Sequence, residues 1–263
     1  MNHQGRDRKI FEKLIGSLNS KYTSGKDPGR LMLDIGRLFM EAPYREQILS
    51  REVERLVINL REQDCVTFVE NVIALTWQIL SRGKSFRGFQ GLAKKIRYRQ
   101  GRLQGFASRL HYFSDWIYDN ERKGFVRDVT EEIGGKPFRK VINFMTTHPG
   151  LYPPLKEAAN RRRMDSIEKN ISKRSMFFVP KKSLVRLEER ILDGDIIAIT
   201  TEREGLDVQH VGLAARVRGR IHLLHASRAE GKVAISPKTL YGYLMRSRAC
   251  SGIMVARVFW FKL

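Results

Sequence analysis

The period of the apolar residues changes once along this chain, near residue 184. That change limits the fold more than any other feature. Before it, apolar side chains recur at helical steps; after it, they fall in short runs bounded by turn residues. Residues 8–21 and 30–41 read as amphipathic helices, the second carrying Leu31, Leu33, Ile35, Leu38 and Phe39. Asp27-Pro28-Gly29 forms a turn between them. Pro43 stops the second helix, because proline disfavours helical geometry in the residue before it. The strongest helix begins at Asp64, a good N-cap. Its stripe of Cys65, Phe68, Val69, Val72, Ile73, Thr76, Ile79 and Leu80 advances mostly by three and four. A further helix is expected over 155–172. Strands are expected over 195–200, 208–215, 221–226, 233–235 and 253–263, with Gly219 at a hairpin. Helices first and an antiparallel sheet second indicate an α+β fold. With 263 residues the chain can bury a sizeable core, and it is read as one α+β domain over 1–263.

Charge is the next constraint. The net charge is +21, and residues 81–190 hold 26 Lys and Arg against 11 Asp and Glu, or +15 of it. A solvated basic surface accounts for such runs, and so does a polyanionic partner: nucleic acid, anionic lipid or an anionic wall polymer. No zinc-finger, RNA-binding or phosphate-loop motif accompanies the charge, so nucleic acid has no specific support. No apolar stretch approaches the ~18 residues of a membrane helix. The start, MNHQGRDRKIFEKL, lacks the apolar core and cleavage site of a signal peptide. The compartment is left open: cytoplasm, or cell envelope or periplasm if a leader was removed.

Three residues carry candidate chemistry: Cys65 at a helix start, His210 on one strand and His225 on the next. A cysteine nucleophile needs a base, and the base needs a third group to orient it. The first turn of a helix also favours a thiolate. By strand alternation His210 shares a face with Val208 and Gly212, and His225 with Ile221 and Leu223, while His222 points the other way. Each of the three residues taken singly also has an ordinary packing role. Two cysteines 185 positions apart, without C-x-x-C or H-x-x-x-H spacing, do not make a structural zinc site. No Gly-x-Ser-x-Gly elbow is present.

The run from Asp64 to Asn71, DCVTFVEN, resembles the nucleophile motif of a bacterial N-acetylmuramoyl-L-alanine amidase-like family, itself similar to the NlpC-type papain-like cysteine peptidases. Pro43-Tyr44, Leu56 to Leu60, Arg109 to Phe113 with Trp116 and Asn120, Asp193 to Ile197, His210-Val211-Gly212 and Leu224 to Ser227 continue the match in order over roughly 35–240. The resemblance implies a papain-like core, a Cys-bearing helix on an antiparallel sheet, with 81–190 as a basic, mostly helical insertion. It implies Cys65 as nucleophile, His210 as base and His225 as third polar residue, with Asp64 and Tyr44 facing substrate. His111, Tyr112 and Asp115 are expected to line the site from the insertion. No cofactor is implied. The expected substrate is peptidoglycan or its fragments, cut at the MurNAc–L-Ala amide. A γ-D-glutamyl bond, or wall binding without catalysis, are the alternatives. The sequence departs from the pattern after Tyr44, where Arg45-Glu46-Gln47 replaces small residues and glycine.

Overall fold

The computed structural model describes residues 3–19, 27–50 and 53–259. The ends of two expected elements, residues 20–21 and 260–263, lie outside the described residues. The helices are α1 (His3–Asn19), α2 (Pro28–Leu38), α3 (Cys65–Leu80), α4 (Phe86–Arg97), α5 (Phe113–Arg122), the single turn α6 (Phe144–Thr147), α7 (Ala158–Ser172), the single turn α8 (Leu184–Leu187) and α9 (Leu240–Met245). The strands are β1 (Val126–Asp128), β2 (Lys136–Pro137), β3 (Phe177–Pro180), β4 (Ile196–Thr201), β5 (Val208–Val217), β6 (Arg220–Ser227), β7 (Lys232–Thr239) and β8 (Cys250–Val258). All pair antiparallel in one sheet of order β2-β3-β8-β4-β5-β6-β7, with β1 also on β8. The fold is α+β.

Strand alternation splits the core into two layers. Ile196, Ala198, Val211, Leu213, Leu224 and Ala226 face α2 and α3 and meet Leu31, Ile35, Phe68 and Val72. Ile197, Ile199, Ala214, Ile221 and Leu223 face the other way, against Leu240 and Leu244 of α9 and against Leu187 and Ile191. Burial on both faces explains why these strands read as nearly continuous apolar runs. The β5–β6 hairpin turns through Arg218 (φ 48°) and Gly219 (φ 82°), two left-handed residues in sequence, the twist that a two-residue hairpin loop favours.

Segment 81–190 carries helices α4 to α8 and three short strands. Its α4 packs on α3 through Phe86, Phe89 and Ile96, and it supplies β1, β2 and β3 to the sheet. Strands of two to four residues carry too few positions for a period to show. The segment also builds a cluster of its own from Phe106, Tyr112, Ile142, Phe144, Leu155, Met164 and Ile171. The last strand begins at Cys250, three residues before the expected start, and Cys250 is buried within it.

Candidate active site

Cys65 is the first residue of α3, and its neighbours fix it there. Asp64 keeps extended backbone (φ −99°, ψ 175°), and its Oδ1 accepts from the Thr67 N–H at 2.7 Å and the Thr67 hydroxyl at 2.9 Å. Thr67 Oγ1 in turn accepts from the Asp64 N–H at 3.0 Å, closing a capping box. Upstream, the Asn59 carbonyl accepts from Gln63 Nε2 at 3.2 Å and Asn71 Nδ2 at 3.0 Å, which fastens the loop to the helix. Gln63 then holds the segment around Tyr44: its N–H donates to the Pro43 carbonyl at 2.9 Å and its carbonyl accepts from Arg45 at 3.0 Å. Tyr44 also donates its N–H to the Gly231 carbonyl at 2.7 Å, beside the β6–β7 turn. The Tyr44 hydroxyl is pushed up to about 12 by burial and then by the nearby Cys65, Glu46 and Asp64.

The two histidines meet edge to face. His210 Nε2 and His225 Nδ1 are 2.6 Å apart, with ring centroids at 4.8 Å and planes at 85°. A β-bulge makes this possible. Ile199 pairs with His210 but Thr200 pairs with Val208, so Gln209 is an extra residue in β5. A bulge re-aims the side chains around it. Val208 packs into the cluster under α3, whereas Gly212 faces His225, so the expected shared face of Val208, His210 and Gly212 is broken. A Cβ at Gly212 would stand 2.8 Å from the Leu224 carbonyl and 2.9 Å from His225 Cβ. Glycine is what lets β5 pass this close. Tyr243 of α9 packs against both rings, at 6.3 Å from His210 and 5.5 Å from His225. His222 bonds the Ser236 carbonyl through Nδ1 at 2.9 Å and takes no part in the pair.

Cys65 and His210 line one cavity of about 310 Å³, with Asp64, Glu70, Arg109 and His111 in its walls. Burial holds His210 down to about 3, helped by the adjoining His225, and burial holds His225 down to about 4. Burial and then the Asp64 carboxylate push the Cys65 thiol up to about 12, against the amides of Val211, Val66 and Cys65 itself. This direction runs against the thiolate that the first turn of a helix favours. The loss of water and the neighbouring carboxylate outweigh the amides of the first turn. With Nε2 of His210 engaged by His225, Nδ1 is the ring nitrogen of His210 that is not part of the pair.

Behind the cavity, Glu70 and Arg97 form a buried ion pair at 2.7 Å, and Trp116 Nε1 donates to Glu70 at 3.3 Å. Asp207, also buried, accepts from the Ser114 N–H at 2.8 Å and ties the start of α5 to β5. The spacing of Glu70 along α3 gave no sign of this role, since carboxylates on helices are usually solvated. Tyr112 and Asp115 lie away from the cavity walls. The Tyr112 hydroxyl donates to Glu168 at 2.6 Å and accepts from the Met145 N–H at 2.8 Å. Asp115 is clasped by Arg99 at 2.6 Å and Arg174 at 2.7 Å. Cys250 accepts a hydrogen bond from Gln209 Nε2 at 2.8 Å and is buried. Among the described residues no group of three or more His, Cys, Asp or Glu is placed to hold a metal ion, and no helix is long and apolar enough to cross a membrane.

Residues 34–253 match the model of a family described as AmiA-like, N-acetylmuramoyl-L-alanine amidase-like. The chain belongs to that family. It is similar to the crystal structure of an N-acetylmuramoyl-L-alanine amidase from Bacteroides uniformis ATCC 8492, at 37% identity over 89% of this chain and 99% of the other, with a TM-score of 0.83. A Bacteroides fragilis protein described as a candidate xylanase is 38% identical over 86% of this chain and 100% of its own, with a TM-score of 0.80. A Legionella pneumophila str. Philadelphia 1 protein shares the fold at 20% identity, covering 98% of this chain and 96% of its own, with a TM-score of 0.77. Comparison with curated proteins gives no match.

Proposed function

We propose that the protein is a cysteine amidase of peptidoglycan or its fragments, cutting the MurNAc–L-Ala amide, and that its core is of the NlpC-type papain-like kind. The observation that carries the chemistry is the 2.6 Å His210–His225 pair, of which His210 lines the cavity that also holds Cys65. A Cys-bearing helix packed on a sheet that carries both histidines supports the papain-like assignment. The family match and the Bacteroides uniformis amidase support the substrate.

In this reading His210 takes the thiol proton as sulfur attacks the lactyl carbonyl of N-acetylmuramic acid. The amide at the head of α3 receives the oxyanion. His210 then gives the proton to the departing L-Ala nitrogen, which leaves the muramoyl group on sulfur as a thioester. Water, deprotonated by His210, hydrolyses the thioester and restores the thiol. His225 orients His210, and Tyr44 and the free Oδ2 of Asp64 meet the substrate. Residues 81–190 form a basic insertion in one domain spanning 1–263, and Arg109 and His111 are the wall it lends to the cavity.

The xylanase description of the Bacteroides fragilis relative is the competing reading. A glycosidase of the usual kind needs two carboxyl groups facing one bond. Of the two carboxylates in the cavity wall, Glu70 is engaged by Arg97 and Trp116, which leaves Asp64 without a second free carboxylate. Muropeptide digests by wild type and Cys65→Ala, resolved by mass spectrometry, test the proposal. It requires a free L-Ala amino terminus as the product of the wild type and no cleavage by the variant. Cleavage at another bond, or full activity without the thiol, overturns it.

A further inference from the structure

His210 also lines a second cavity, of about 740 Å³, walled by the β6–β7 turn, β7 and α9. It is the one residue common to the two cavities. Their electrostatic characters differ. The first sets Asp64 and Glu70 against the single cation Arg109, whereas the second is lined by Arg228, Lys238 and Arg246 against the single carboxylate of Glu230. Arg228 pairs at 2.9 Å with Glu46 across an exposed contact, while Lys238 and Arg246 make no ion pair among the described residues. Tyr243 joins this cavity to the histidines, since its ring packs on both. On the same side, His225 Nε2 is buried without a partner.

An internal amide hydrolase must hold substrate on both sides of the bond it cuts. The imidazole shared by the two cavities stands where that bond has to lie. We propose that the second cavity is a subsite for a carboxylate of the substrate peptide, bound by Lys238 and Arg246 and, on release from Glu46, by Arg228. This rests on the peptidoglycan reading above, because the stem peptide supplies the carboxylate. Two exposed, flexible cations that lack partners offer charge to a ligand at little cost in desolvation, and the resulting hydrogen bonds are charge-assisted.

The test uses the full chain carrying Cys65→Ala, which binds without turnover. Its affinity for N-acetylmuramoyl-L-alanyl-D-glutamate is compared by calorimetry with that for the α,γ-diamide, in which both carboxylates are replaced by neutral amides. The proposal expects the acid to bind tighter by on the order of tenfold at low salt. Adding Lys238→Gln and Arg246→Gln should bring the two affinities together. Both positions are exposed, and a melting temperature equal to the parent's shows that the variant is folded. Equal affinities in the parent, an undiminished preference in the triple variant, or no binding of either compound overturns it. Turnover of the same two compounds by wild type is read separately. Failure there sinks the amidase reading and leaves the binding comparison to stand or fall alone.

Discussion

At the scale of single residues, the chemistry turns on where one proton sits. Cys65 is pushed up to about 12 while His210 is held down to about 3, so thiol and imidazole are both neutral at rest. On the proposed mechanism, activity then depends on an unprotonated imidazole rather than on a preformed ion pair. The profile of kcat/KM should stay flat down to about pH 5 and fall only as the histidine pair takes a proton, near the 3 to 4 of the two rings. An acid limb at the ordinary 6.5 of histidine would show that burial does not govern these rings. The same shifts bear on stability. Both folded values lie below 6.5, so the unfolded chain binds protons first on acidification. This contribution is present in full above about 6.5 and is lost progressively toward 4 and 3. Melting temperature measured from pH 7 to pH 4 should fall, and the slope should lessen in His225→Gln. Replacing His225 by Ala should lower kcat more than it raises KM, because imidazole geometry matters most as charge develops on it. His222→Ala should leave kcat within about twofold, as its ring is tied to Ser236 instead.

At the scale of elements, α3 and the β5–β6 hairpin do the positioning. The capping box places Cys65 at the helix start, so Asp64→Ala should cost about 1 kcal/mol of stability in a urea melt, besides any loss of turnover. The Gly212 contact makes a sharper test of the hairpin. Gly212→Ala puts a Cβ within 2.9 Å of His225 Cβ, and either the ring or the strand must move. Turnover should drop at least about tenfold while the far-UV spectrum is kept. Full activity would mean that the histidine pair tolerates displacement. Behind α3, Glu70→Gln leaves Arg97 buried without its counter-charge, and a loss of roughly 3–5 kcal/mol is expected by urea titration. These elements were legible to different degrees. The apolar stripe from Cys65 to Leu80 and the four runs from β4 to β7 announced themselves, because a buried helix or strand repeats its pattern over several turns. The bulge at Gln209 did not, since one extra residue leaves no period to read. Nor did the Glu70–Arg97 pair, because two charges 27 positions apart look like solvated surface until the helices bring them together.

At the scale of the whole molecule, the sheet is assembled from both halves of the chain. β8, next to the carboxyl end, is flanked by β4 and by β1 and β3 from segment 81–190. The α+β class and the family could be read from the order of motifs along the chain. The contribution of that segment to the sheet could not, because its strands are so short. Tyr112 and Asp115 show the same limit. Their place in the insertion suggested the cavity, yet their hydroxyl and carboxylate serve Glu168, Arg99 and Arg174 and hold the segment together. On the proposed mechanism Cys65 carries the muramoyl half of the substrate during turnover. Acid quenching in the first turnover, followed by peptide mass spectrometry, measures this directly. The account predicts an N-acetylmuramoyl adduct on the Cys65 peptide, with the stem peptide released. An adduct that contains L-Ala and D-Glu, or turnover with no adduct on Cys65, would contradict it.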